Sequence, residues 1–255
     1  VALLLAARGG QEGITLIDEA AKISAWIQTK VKESGAKGVV VGLSGGIDSS
    51  LVAVLSKQAV GDHLRGLIMP CHSIATDVEH AEILARKFSI RKQRIDLAPV
   101  NDLMVKLLPE GNRMARANLR PRLRMITLYY FANTLGYLVA RTDNKTESFT
   151  GYFTKHGDGG VDILPISHLL KRQVTAMTRE LGVPEEIITK PPSAGLWEGQ
   201  TDEGEMGMTY EELDTIIAGI ESGNIDGLDP ALVEKAKRMH ASSEHKRRLP
   251  PSFPG

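Results

Sequence analysis

GVVVGLSGGIDSS, from Gly38 to Ser50, is the stretch on which the fold turns. Gly38 to Leu43 is a short β-branched run without a polar break, the pattern of a strand covered on both faces. Ser49 to Ala59 continue at helical spacing, with Val52, Leu55 and Ala59 on one side. A buried strand that passes through a glycine turn into a helix is the unit of a parallel sheet, whose ligands bind beyond the carboxyl ends of its strands. Residues 42–50 occupy that place. Gly45 and Gly46 allow backbone N–H groups to close on an anion, and the helix N-terminus adds partial positive charge. Ser44, Ser49 and Ser50 offer further donors. No lysine stands where a Walker loop requires one. Asp48 takes the middle of the loop instead, and a carboxylate beside phosphate implies Mg²⁺ between them. The plainer alternative is a turn in which Asp48 or Ser49 only caps the helix.

Outward from this loop, residues 13–33 have helical spacing, with Ile14, Ile17, Ala21, Ser24, Trp26 and Ile27 on the apolar side. Strands are expected at Leu64 to Met69, at Tyr137 to Ala140 and, more weakly marked, at Arg94 to Leu97. Asp77 reads as the N-cap of a helix carrying Val78, Ala81, Ala85 and Phe88. Pro121 fits the first turn of a helix to about Leu135. Two helices close the chain, near Thr209 to Ser222 and Pro230 to Lys246. Gly157 to Gly160 form a turn, and residues 190–207 read as a long mobile loop. The alternation predicts an α/β fold, a doubly wound parallel sheet flanked by helices. No linker interrupts it, so residues 1–255 are expected to form one domain.

A chain of 255 residues can bury a full core. Lysine plus arginine and aspartate plus glutamate both number 31, so no global field favours nucleic acid or an acidic membrane surface. Cys71 is the only cysteine, which rules out an internal disulfide and suits a reducing, cytoplasmic setting. It could be a thiol nucleophile; the expectation is a small buried residue. No apolar run approaches the roughly 20 residues that span a bilayer. Val1 to Ala7 is apolar but short and has no basic region before it. His240 and His245, five apart, do not share a helical face and lack zinc-ligand spacing.

Ser44 to Ser50, SGGIDSS, resembles the pyrophosphate loop of the N-type ATP pyrophosphatases, which cleave ATP between the α and β phosphates. GMP, asparagine, argininosuccinate and NAD synthetases and tRNA-thiolating enzymes belong to that group. Four further segments narrow the resemblance: NLRPRLRM at 118–125, RTDNKTE at 141–147, GYFTKHGDGGVDILP at 151–165 and EHKRR at 244–248. With LKRQ at 170–173, they resemble the NAD synthetase family in order and spacing from about residue 14 onward.

The resemblance implies a Rossmann-like, adenine nucleotide alpha hydrolase-like fold and assigns roles by position. Gly42, Leu43, Ser44, Gly45, Gly46, Ile47, Asp48, Ser49, Thr142, Lys171 and Ser193 would bind ATP. Asp48 and Glu147 would hold Mg²⁺, and with Lys171 would form the catalytic set. Arg124, Lys155, Asp162, His245 and Lys246 would contact deamido-NAD. A homodimer is implied as well. Arg141 and Asp143 depart from the family's pattern, where glycine, or glycine plus histidine, is frequent; they make the wall near ATP bulkier and more charged. Gly195 to Gly199 fall in a variable part of the 190–207 loop.

The expected reaction is ATP-dependent amidation of deamido-NAD to NAD, with AMP and pyrophosphate released. The stretch before Gly38 is too short for the amidase domain of glutamine-hydrolysing members, so ammonia is the expected nitrogen source. Other readings stay open. A GMP synthetase core shares the loop. A tRNA thiolase would carry paired cysteines and a basic surface. A non-catalytic nucleotide-binding module would have no use for Glu147, Lys171 and the GDGG segment together.

Overall fold

The computed structural model describes residues 15–193, 195 and 199–253. Val1 to Ala7, Ile14 and Leu196 to Glu198 lie outside the described residues. The first helix, α1 (Leu16–Glu33), is capped by Thr15 in a capping box with Asp18. β1 (Val39–Gly42) leads into α2 (Ile47–Val60), then β2 (Leu64–Ile68), α3 (Ala75–Lys87) and β3 (Arg91–Arg94). Next come α4 (Ala98–Leu107), α5 (Arg113–Ala117), α6 (Leu119–Leu135) and β4 (Leu138–Val139).

The four strands are parallel in the order β3-β2-β1-β4. The order reverses direction between β1 and β4, so the loops leaving these two strands diverge and open a crevice at the sheet's carboxyl edge. An isolated parallel bridge from Ala140 to Ile163 extends the sheet beyond β4.

Side chains alternate across the sheet, as strand geometry demands. Val39, Val41, Leu43, Leu64 and Ile68 join α1, α2 and α3 in one core. Val40, Leu67, Met69 and Val139 point the other way, with Cys71, Leu97 and Ala132 of α6. Cys71 is fully buried there, and burial raises its thiol above the ordinary cysteine range. α2 is buried on nearly every side, from Leu51 to Ser56 without interruption. A helix enclosed in this way does not need a single apolar stripe, so the expected one-sided pattern understates its burial. α1 buries Ala20, Ile23, Ser24, Ile27 and Val31 instead, leaving Ile17, Ala21 and Trp26 toward solvent.

The remaining helices build the site and its backing: α7 (Lys145–Thr150), α8 (Lys171–Glu180), α9 (Glu185–Ile188), α10 (Asp202–Met206), α11 (Tyr210–Ser222), α12 (Pro230–Ser242) and α13 (Glu244–Arg247). Met206, Met208, Leu213, Ile216, Val233 and Ala236 form a third core under α7.

Three expectations need correction. The edge strand is Arg91–Arg94, not Arg94 to Leu97; Ile95 and Leu97, which supplied the apolar signal, pack into the second core just past the strand. Asp77 is not an N-cap, because α3 starts at Ala75 with Ile74 before it. The 190–207 stretch is not all loop: α10 lies within it, capped by Thr201 and closed by left-handed Gly207.

Candidate active site

Leu43 still pairs with β2, its N–H donating to the Leu67 carbonyl at 2.8 Å, and the chain then turns sharply. Gly45 has φ +79°, and a Cβ there would lie 2.1 Å from the backbone oxygen of Asp77. Only glycine fits both conditions. Gly45→Ala is therefore expected to cost more than about 1–2 kcal/mol of stability and, where the loop holds ATP as the resemblance implies, to weaken ATP binding. Denaturant titration and ATP titration check this; wild-type values in both would contradict the packing of the loop against α3.

Gly46 is the N-cap of α2 and brings no side chain to the first-turn N–H groups. Neither Asp48 nor Ser49 caps the helix, so the plainer reading of the loop does not hold. The Gly46 N–H donates to Ser44 Oγ at 3.2 Å, while no side chain caps the first-turn N–H groups, so these and the helix dipole are available to an anion. The serine hydroxyls serve the loop itself. Ser44 and Ser49 lie 2.9 Å apart, and Ser49 and Ser50 donate to the Gly46 carbonyl at 3.0 and 2.8 Å. Ser50 is fully buried in that role.

Asp48, in the first turn of α2, meets two later segments. Its Oδ1 accepts from Asn144 Nδ2 at 2.8 Å, and its Oδ2 from Lys171 Nζ at 2.5 Å. Asn144 also caps α7 in a capping box. It accepts from the Glu147 N–H at 3.0 Å while Glu147 Oε2 accepts from the Asn144 N–H at 3.3 Å. That box fixes Glu147 at the third helical position and aims Oε1 at Lys171 Nζ, 3.2 Å away. Glu147 is thus an acid at a helix start, yet its side chain is only 13% exposed. Lys171 opens α8, where buried Asp214 accepts from the backbone N–H groups of Lys171 and Arg172 at 3.3 and 2.8 Å.

With both carboxyl groups ionised, one ammonium would leave this cluster one negative charge in excess. Burial, then the Asp48 charge, pushes Glu147 up to about 8, while Lys171 pulls the other way. Burial opposes the Lys171 charge, but Asp48 and Glu147 outweigh it and hold the ammonium above its ordinary range. The folded protein therefore keeps a proton on Glu147 that the unfolded chain releases near pH 4.5. The stability tied to that proton is complete below about pH 4.5 and lost as pH rises through about 8. Glu147→Gln is expected to flatten the fall in Tm over that window; calorimetry showing a wild-type slope would contradict it.

Beside the cluster lies a cavity of about 650 Å³, within the range of small-molecule sites. Gly42, Leu43, Ser44, Gly46, Thr142 and Ser193 line it, as do Arg124, Lys155, His245 and Lys246. Asp48, Glu147 and Lys171 are not part of the lining; Asp143 is, the Asp48 charge helps to raise it, and Asp143 in turn helps to raise Glu147. Arg124 reaches from α6 to the Met69 carbonyl at 3.2 Å and Ser73 Oγ at 3.3 Å. Lys246 donates to the carbonyls of Gly151 and Phe153 at 2.8 and 2.9 Å, and burial lowers its pKa. Asp162 stands apart from the lining. Its carboxylate accepts from the Val139 N–H at 2.8 Å and the Tyr129 hydroxyl at 3.0 Å, tying β4 to α6.

The NAD synthase family profile spans residues 19–250 of this chain. The chain belongs to the NAD synthase family. A relative from Carboxydothermus hydrogenoformans, named an NH(3)-dependent NAD(+) synthetase, is 47% identical over 234 residues, covering 90% of this chain and 94% of the relative. Among solved structures, the NMN synthetase from Francisella tularensis matches with TM-score 0.88 and 34% identity, covering 95% of this chain and all of that one. The NH3-dependent NAD synthetase from Campylobacter jejuni matches with TM-score 0.83 and 28% identity, over 94% of this chain and all of that one.

In this NAD synthase family member, Arg141 and Asp143 pair with each other, and the Arg141 guanidinium lies 4.0 Å from the centre of the Phe153 ring. Burial raises Asp143 to about 7 against the pull of Arg141. The added charges on the wall are thus balanced internally. Lys190 also lines the cavity and pairs with Asp77, beside Gly45. Lys190, Asn144 and Tyr210 join the site without having been expected from the sequence. Asn144 was findable, since Asn-x-x-Glu is a capping-box pattern; Lys190 and Tyr210 have no local signal.

Proposed function

We propose that this chain is an ammonia-dependent NAD synthetase that amidates the carboxylate of deamido-NAD at the expense of ATP. The observation that carries the reading is the convergence of Asp48, Glu147 and Lys171 beside the uncapped N-terminus of α2. The Lys171 ammonium stands between two carboxylates, at 2.5 and 3.2 Å, and so marks a point already built for a cation. Hard oxygen donors, few in number and next to a phosphate site, suit Mg²⁺. Asp48 and Glu147 would hold it, and when bound it neutralises charge on the phosphates of ATP.

Loop N–H groups at the start of α2 receive the phosphates, and Lys171 turns its charge toward the leaving pyrophosphate. Arg124, Lys155, His245 and Lys246 orient deamido-NAD so that its carboxylate oxygen faces the α phosphorus. That oxygen forms a bond to phosphorus as the bond to the β-phosphate oxygen breaks. Ammonia then adds to the activated carbonyl, AMP leaves with the bridging oxygen, and the nitrogen loses a proton. No side chain acts as nucleophile; the protein supplies position and charge.

The same reading treats the chain as one catalytic unit, because α2, α7 and α8 each supply one member of the set. It also includes a cytoplasmic setting, supported by the single buried thiol, and a homodimer. Leu103, Leu107, Met114, Ile126 and Tyr130 on α4 to α6 are half or more exposed, an apolar face suited to a second copy. Among the described residues no helix is long and apolar enough to cross a membrane.

A second acceptor, nicotinic acid mononucleotide, is favoured by the likeness to the NMN synthetase structure. Incubation with ATP, Mg²⁺ and ammonium, with deamido-NAD, the mononucleotide or xanthosine monophosphate offered separately, decides between them. NAD and AMP formed in equal amounts support the proposal. Faster amidation of the mononucleotide selects the second reading, and AMP formed only with xanthosine monophosphate overturns both.

A further inference from the structure

Tyr210 opens α11 and is 6% exposed. Its hydroxyl lies 3.2 Å from Glu147 Oε1 and 3.0 Å from Asp202 Oδ2 of α10. The face of its ring lies 4.7 Å from Lys171 Nζ, and its backbone N–H donates to Glu203 Oε1 at 2.9 Å. One side chain therefore touches both Glu147 and Lys171 and carries α10 on its other side. The amidation described above needs no phenol there, since no proton passes through this position.

Glu147 Oε2 is fixed within its own capping box, whereas Oε1 is met by Lys171 and Tyr210. If Lys171 turns to the phosphates, Tyr210 is left to hold Oε1. Its single O–H proton faces two carboxylates, so the hydroxyl's orientation depends on where Asp202 stands. Asp202 stands where α10 seats. One turn further along α11, Asp214 holds Thr146 and the α8 N-terminus, so the same helix face supports the backbone on which both residues are mounted.

We propose that Tyr210 is a positioning residue that sets the Glu147 carboxylate and makes its placement depend on the seating of α10 through Asp202. The inference rests on the reading of Glu147 as a metal ligand. Groups that orient a ligand from behind typically contribute about 10–100-fold to metal affinity or activity. Tyr210→Phe keeps the ring over Lys171 and removes only the hydroxyl.

The test measures Mn²⁺ binding to the full-length protein with ATP, by the free-ion electron paramagnetic resonance signal, together with kcat, KM for deamido-NAD and Tm. Tyr210→Phe is expected to weaken Mn²⁺ binding by roughly tenfold and to lower kcat, with KM for deamido-NAD nearly unchanged and Tm within a few degrees. Asp202→Asn is expected to weaken Mn²⁺ binding less, and the double variant to match Tyr210→Phe alone, because the two act through one contact chain. Additive effects, or wild-type Mn²⁺ affinity in Tyr210→Phe, overturn the inference; should Tyr210→Phe fail to fold, wild-type affinity in Asp202→Asn does the same. Glu147→Gln separates the two levels. If it binds Mn²⁺ as wild type does, the ligand reading falls; if it loses Mn²⁺ while Tyr210→Phe does not, only the coupling falls.

Discussion

Asp48→Asn loses AMP formation by roughly 10³-fold or more and keeps its fold, if the α2 carboxylate anchors the cation. The substitution is nearly isosteric, and its amide oxygen can still accept from Lys171. The amide nitrogen would face the Asn144 amide group that now donates to Asp48 at 2.8 Å, a cost of about 1–2 kcal/mol, because Asn144 cannot turn over without giving up its cap on the Glu147 N–H. Against that cost, the Asp48 contribution that raises Glu147 disappears, so Glu147 ionises more readily beside Lys171. The two effects oppose, so Tm should move little. Activity cannot recover in the same way, because an amide gives a cation no charge. Chromatography of AMP with ATP, Mg²⁺, ammonium and deamido-NAD measures the loss; turnover within tenfold of wild type would exclude the role assigned to Asp48.

Lys171→Met has the opposite balance, with a large loss in stability as well as rate. Removing the ammonium leaves Asp48 and Glu147 facing each other without their shared counter-charge, in a site where the lysine side chain is only 7% exposed. Breaking a buried pair from one side typically costs about 3–5 kcal/mol, here chiefly for the stranded Asp48 charge because Glu147 already holds its proton near neutral pH. The rate should fall by about 10²–10³-fold, as for loss of one preorganised donor to a leaving group. Mg²⁺ should raise the Tm of this variant more than that of wild type, since the vacated point lies between the same two carboxylates. Equal Mg²⁺ responses in thermal melts would mean that cation and ammonium do not share a position.

The parts of the fold that were legible are those written in consecutive residues. The apolar run Gly38 to Leu43 and the glycine turn after it fix β1, the loop and the start of α2, because strand burial and backbone freedom are local properties. β3 was misplaced because Arg91–Arg94 are all exposed and carry no apolar alternation; backbone pairing with β2 alone makes them a strand, and charge suits an edge. Asp77 looked like a cap because aspartate usually is one, but its carboxylate is engaged by Lys190, 113 residues away. α10 was hidden in acids and glycines, although Thr201 before it and Gly207 after it are ordinary helix brackets.

The site divides along the same line. Asp48 was visible through its own loop, and Glu147 and Lys171 only through the resemblance, since each alone reads as a solvated charge. Their meeting depends on Asn144, Asp214 and Tyr210, which act across the fold. Asp162, a loop acid expected to contact deamido-NAD, also has a structural part that no local pattern shows, since it holds β4 to α6.

The most direct test of the account follows oxygen. Deamido-NAD labelled with ¹⁸O in both carboxylate positions is turned over with ATP, Mg²⁺ and ammonium, and the AMP is analysed by mass spectrometry. Attack of the carboxylate on the α phosphorus predicts one ¹⁸O atom in each AMP formed. Unlabelled AMP, or label recovered in orthophosphate, would contradict it.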